Sequence, residues 1–227
     1  MQANALLPGA LGSFVGGVLF VTAALFPIVN PLGMAPIFLT YTDGVEAGTR
    51  VILARRIAYN SFILAAVSLI AGSYILHFFG LSLPAVQIGG GLVVAASGWR
   101  ILNRGADDPD RRALSASPEA ILESAFYPLT MPLTVGPGSI AVMLAIGSGA
   151  PAASAGNDYL VPKDIGGLVG VAIVALSIYL SYRYAEPILR RLGHSGINVF
   201  LRLSAFILLC LGVQILLNGY HAITLAG

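Results

Sequence analysis

The chain has 227 residues, of which 57% are hydrophobic and only 10% charged, with a net charge of +2 and a mean hydropathy of +0.86. An ordinary soluble domain carries about 25% charged residues, so neither a water-facing globule nor a disordered chain fits this composition. The 12 basic residues form no block, so nothing points to a nucleic-acid partner, and the single cysteine, Cys210, excludes disulfide frameworks and thiol relays. What remains is an integral membrane protein. Its opening MQANALLPGALGSF lacks the basic stretch of a cleavable signal peptide and reads as mature sequence.

A hydrocarbon core of roughly 30 Å needs about 20 apolar residues in a helix. Residues 12–41, 57–79, 83–102, 124–149, 164–184 and 198–220 meet that requirement. The expected fold is an all-α membrane protein of six transmembrane helices with no extramembrane domain. Retained cytoplasmic loops are enriched in Lys and Arg. Here Arg50, Arg55 and Arg56 fall in loop one, Arg100, Arg104, Arg111 and Arg112 in loop three, and Arg183, Arg190 and Arg191 in loop five, against Lys163 alone in loop four. Both termini are therefore expected outside the cytoplasm.

Span one is uncharged from Met1 to Thr42, yet it contains Pro27, Pro31, Gly33 and Pro36. Each proline removes a backbone donor and crowds the carbonyl four residues back, so the cluster is expected to break the helix. Span four has a second cluster: Pro128, Pro132, Gly136, Pro137 and Gly138. FPIVNPLGMAPIFL and YPLTMPLTVGPGSIAVML align with Pro31 on Pro132 and, after a two-residue insertion, Gly33 on Gly136; GWRILNRG from Gly98 matches GVQILLNG from Gly212 at a displacement of 114. The pattern suggests a duplicated three-span unit, residues 1–103 and 123–227, joined by a cytoplasmic linker at 104–122. An odd number of spans per unit inverts the second copy, an architecture of many secondary transporters.

Irregular backbone inside a membrane must be buried in protein or face a watery cavity. A half-helix beginning at such a break offers N–H groups and a positive dipole end to a carboxylate, and exposed carbonyls with the Asn30 side chain offer acceptors to an ammonium group. Together they suit a zwitterion without any charged side chain, and all 10 acids lie in loops or at span ends. The competing reading is that the prolines only kink helices and the glycines allow close packing. Asn30 is as well suited to cap a half-helix, and Thr130, Thr134 and Ser139 are weaker candidates because membrane hydroxyls usually bond their own helix.

VNPLGMAPIFL at Val29 to Leu39, then RRIAYNSFILA, QIGGGLVVA, PLTVGPGSIAVM and GVQILLNG, resemble the MarC family of six-span inner-membrane proteins over nearly the whole chain. That resemblance implies a relative of the LysE-type transporter superfamily, whose MarC members are linked to small neutral amino acids. It carries the NPLG motif onto Asn30, Pro31 and Gly33, and the GPG motif onto Gly136, Pro137 and Gly138. Span three is richer in small residues between Gly89 and Trp99 than the family pattern.

The expected ligand site is Asn30, Pro31, Gly33, Thr130, Pro132, Thr134, Gly136, Pro137, Gly138 and Ser139. Gln87, Arg202 and Gln214 are gating or structural polar positions, Arg202 either snorkelling to the headgroups or buried against broken-helix carbonyls. The glycine pairs Gly12/Gly16 and Gly166/Gly170 read as packing contacts, within one protomer or in a homo-oligomer. His77, His194 and His221 lack metal-ligand spacing, and neither a nucleophile with its base nor a phosphate loop appears, so no metal, cofactor or enzymatic activity is expected. The reading is a secondary transporter of glycine- or alanine-like zwitterions, an exporter or exchanger in contact with membrane lipid. A channel or a non-transporting scaffold are the alternatives.

Overall fold

The computed structural model describes residues 3–103, 118–148 and 160–224. Helices α1 (Ala3–Val29) and α2 (Pro31–Tyr41) form the first crossing, and α3 (Ala47–Phe78) and α4 (Leu83–Asn103) follow. A short helix α5 (Pro118–Glu123) leads into a widened helical segment, Ala125–Thr134, and then α6 (Pro137–Gly147). Two long helices, α7 (Leu160–Arg183) and α8 (Ala185–Thr224), close the chain. Among the described residues five stretches are long and apolar enough to cross a bilayer, and the Ala125–Thr134 segment with α6, bent by 71°, adds a sixth where the pair is counted as one broken span.

The surface explains why these helices need lipid. Leu11, Leu19, Ile70 and Leu176 are each more than half exposed, whereas Phe38, Leu53, Ile57, Leu129 and Met143 are fully enclosed. Helices that are apolar on all sides bury one face in protein and the other in hydrocarbon.

Two boundaries differ from expectation. Helix α3 begins at Ala47, so Arg50, Arg55 and Arg56 occupy its first turns instead of a loop. Gly193, at φ 66° and ψ 170°, interrupts α8 ahead of its apolar stretch Leu201–Thr224. Of the expected linker, residues 118–122 fall in α5, while Arg104, Arg111 and Arg112 lie outside the described residues. Basic segments distant in sequence meet at one end of the bundle. Arg50 pairs with Glu186 at 3.3 Å, and the Arg56 guanidinium donates to the Leu122 carbonyl at 3.3 Å.

Glycine sets the closest helix approaches. A Cβ on Gly98 would stand 2.5 Å from Leu209 N and 2.9 Å from the Ala205 carbonyl, and one on Gly91 would stand 2.7 Å from the Gly212 carbonyl. A Cβ on Gly212 would in turn strike Ala95, so α4 and α8 run antiparallel with backbones almost touching. Gly166 and Gly170 seat α7 in the same way on Phe14 and Val18 of α1, within the protomer, whereas Gly12 and Gly16 face open space. Helix α6 packs between α3 and α4, and α2 packs against α7 and α8.

Candidate functional site

Only one of the three prolines in the first cluster coincides with a break. Pro27 and Pro36 lie inside α1 and α2, and the interruption is at Asn30, in the left-handed region at φ 47° and ψ 60°. Asparagine tolerates that conformation because its short side chain can bond nearby backbone. Its Oδ1 accepts from the Gly33 N–H at 3.2 Å, while its backbone bonds across the break, Asn30 N–H to the Phe26 carbonyl at 2.9 Å and Met34 N–H to the Asn30 carbonyl at 3.0 Å. Asn30 is thus the N-cap of α2. A Cβ on Gly33 would collide with the Asn30 carboxamide, which accounts for the glycine three residues after the asparagine.

The second cluster solves its missing donors differently. The Tyr127–Pro128 and Met131–Pro132 peptide bonds are cis and Tyr127 and Met131 are extended; Leu129 N–H bonds the Ser124 carbonyl and Val135 N–H the Thr130 carbonyl, so the Ala125–Thr134 segment is wider than an α-helix. Pro128 has no N–H for the Ser124 carbonyl, and Leu129 donates to it instead at 3.3 Å. Thr130 Oγ1 donates to the Ala125 carbonyl and Thr134 Oγ1 to the Leu129 carbonyl, each at 2.6 Å. Hydroxyl groups and widened turns are how membrane helices re-satisfy backbone freed by proline. The chain then breaks at Val135–Gly136, and α6 starts with Pro137 at its first position and no side-chain cap.

Helices α2 and α6 are each 11 residues long and each begins with proline, Pro31 and Pro137. The residues just before the two breaks, Val29 and Val135, line one cavity of about 10 Å³ together with Leu25, Ser61 and Val174. That volume is about the space one water needs. Ser61 Oγ is buried there and unpartnered among the described residues.

The expected site residues are only partly gathered at this point. Gly136 is half-buried at the break, Gly138 is pressed against Val94 of α4, and Ser139, Thr130 and Thr134 are buried, while Pro132 and Pro137 are exposed. Towards the basic end, Tyr182 of α7 stacks on Phe38 of α2 with ring centroids 4.5 Å apart and 8° between planes, and its hydroxyl lies 2.8 Å from Thr134 Oγ1. This cluster ties both broken crossings to α7.

Gln87 does not lie at the breaks. It lines a larger cavity, about 240 Å³, between α1, α4, α6 and α8, which also includes Asn218. Gln214 is exposed and donates to Asn218 Oδ1 at 2.9 Å. Arg202 is exposed at the start of the last apolar stretch, which removes the buried role and leaves its head free for the headgroup region. No acid or base lines either cavity, and the described residues contain no cluster of three metal-ligating side chains. Ser61, Phe38 and Tyr182 escape sequence reasoning. Ser61 is one hydroxyl in an apolar run, and a tyrosine at a span end reads first as an interface anchor.

Comparison with known proteins identifies the family. The MarC family, described as MarC family integral membrane protein, matches residues 17–224. Proteins named UPF0056 inner membrane protein MarC from Escherichia coli K12 and from Shigella flexneri are each 32% identical over 203 residues, covering 86% of this chain and 90% of theirs. No solved structure matches significantly. A multi-pass protein of the inner membrane, this chain belongs to the MarC family.

Proposed function

We propose that this protein is a secondary transporter of small neutral amino acids, glycine- or alanine-like zwitterions, working as an exporter or exchanger by alternating access. The observation that carries the reading is the meeting of two interrupted crossings at one cavity, which Val29 and Val135 both line just ahead of half-helices of equal length. The uncapped start of α6 presents free N–H groups and a positive dipole end to a carboxylate. With no charged side chain at the cavity, a solute of net charge would have to be desolvated without compensation.

An inverted-repeat arrangement supports the same reading. Exchanging the first three crossings with the last three turns the α1–α7 contact into that of the bent crossing with α3, turns α2–α8 into α6–α4, and leaves α4–α8 and α3–α7 in place. At residue level, the Gly98–Ala205 and Gly98–Leu209 contacts become Gly212–Gly91 and Gly212–Ala95 under the displacement of 114 expected from sequence. Two such halves rocking about a central site is the usual basis of alternating access. The narrow cavity and the Phe38–Tyr182–Thr134 cluster favour a carrier over a continuous pore. The basic end is assigned to the cytoplasm and both termini to the outside.

Counterflow tests the proposal. Proteoliposomes preloaded with unlabelled alanine should transiently accumulate labelled alanine above equilibrium. Simple equilibration would indicate a pore, and no protein-dependent uptake would indicate a scaffold.

A further inference from the structure

We propose that the 240 Å³ cavity is a second binding site, an outer vestibule that takes a neutral amino acid with an apolar side chain of up to about leucine size. This rests on the transporter reading above and extends its substrate class beyond glycine and alanine. The volume is the first argument. A cavity of about 150 Å³ holds a benzene, whereas drug-sized ligands occupy roughly 300–1,000 Å³, so the space suits one amino acid.

The walls are the second argument. Val86, Val142, Ile146 and Ile215 with Phe20 supply a dry surface for an aliphatic side chain. The polar contribution is two carboxamides, and a carboxamide both donates and accepts, as the two ends of a zwitterion require. Gln87 makes no hydrogen bond to any described residue, so its oxygen is available to an ammonium group. Asn218 has its Oδ1 engaged by Gln214, which leaves its N–H groups to face a carboxylate. The lack of any ionic lining residue disfavours lysine and glutamate.

Position is the third argument. Ala24 lines this cavity while its neighbour Leu25 lines the small cavity at the breaks, so α1 contributes a wall to both. Gln87 is in the second turn of α4 and Asn218 is near the end of α8, at the opposite end of the bundle from the Arg50–Glu186 pair. A solute entering from the non-basic side meets this cavity before the breaks.

The test is equilibrium binding of labelled leucine and labelled alanine to the detergent-purified full chain. Leucine should bind saturably and compete with alanine. Ala24→Phe, which fills the cavity, and Gln87→Leu, which removes the polar contact, should each weaken leucine binding at least tenfold with the protein monodisperse and its melting temperature within a few degrees of wild type. Phe20→Ala enlarges the cavity at an exposed side chain and should shift preference towards phenylalanine; it keeps the test valid if a filling variant fails to fold. Leucine affinity unchanged in Ala24→Phe and Gln87→Leu, or leucine binding that lipid alone reproduces, overturns the vestibule. Alanine counterflow with no leucine binding overturns it while leaving the transporter reading intact; failure of both alanine counterflow and leucine binding overturns both.

Discussion

At the scale of single residues, the first break rests on a pair that must be considered together. The Asn30 carboxamide occupies the space a Cβ on Gly33 would need, and its oxygen satisfies the Gly33 N–H. Loss of an N-cap costs about 0.5–2 kcal/mol, so Asn30→Ala and Gly33→Ala should each destabilise by about that amount. Because Gly33→Ala acts by displacing Asn30, the cap is lost only once, and the double variant should lose less than the sum of the two single losses. Thermal unfolding in detergent reads this directly, and additive losses would show that the two residues act independently. Gly138 is packed as closely as Gly33. Valine there meets Val94, so it perturbs packing before it perturbs any ligand, and Gly138→Val should regain stability when combined with Val94→Ala. Gly136, whose Cβ would approach only the Pro132 carbonyl at 3.2 Å, is the position at which alanine probes the break itself.

At the scale of elements, the Gly89–Gly91 triplet in α4 divides by environment. Gly89 has open space around it, Gly90 faces Ala141 of α6, and Gly91 faces the α8 backbone at Leu216 and Gly212. Gly89→Ala should leave stability unchanged or raise it by up to about 1 kcal/mol, since alanine is the better helix former. Gly91→Ala, Gly98→Ala and Gly212→Ala should each cost about 1–3 kcal/mol through overpacking, measured as melting temperature in one detergent. Equal tolerance at Gly89 and Gly91 would contradict the close α4–α8 seam. The apolar stretches that can cross a bilayer were legible in the sequence because the length of an apolar run is a property of composition alone. The likeness of GWRILNRG and GVQILLNG pointed to Gly98 and Gly212, which the structure places in reciprocal contacts. Which proline breaks a helix was not legible. It depends on whether another group re-satisfies the backbone, as Leu129 N–H, Thr130 and Thr134 do around Pro128 and Pro132. The burial of Ser61 and Tyr182 was equally out of reach, because burial inside a bundle is set by contacts between helices far apart in the chain.

At the scale of the whole molecule, the transporter reading requires the two ends to differ. The basic end is held by Arg50–Glu186 and by the Phe38–Tyr182 stack with Thr134, whereas the larger cavity lies towards the other end. Single cysteines at Gln2 and Gly227, with Cys210 replaced by serine, should react with an impermeant thiol reagent in intact cells; protection of both until permeabilisation would reverse the assigned sidedness. With that sidedness, the stack is the cytoplasmic closure and must open once per cycle for substrate to pass. Cysteines replacing Phe38 and Tyr182 in the same background, joined by a short cleavable bifunctional thiol reagent, should abolish alanine counterflow while alanine still binds from the extracytoplasmic side. Cleaving the link should restore counterflow, and each single-cysteine variant treated alike should transport as before. Undiminished counterflow with both thiols linked would mean that α2 and α7 do not separate during transport, and the path would then have to leave the bundle elsewhere.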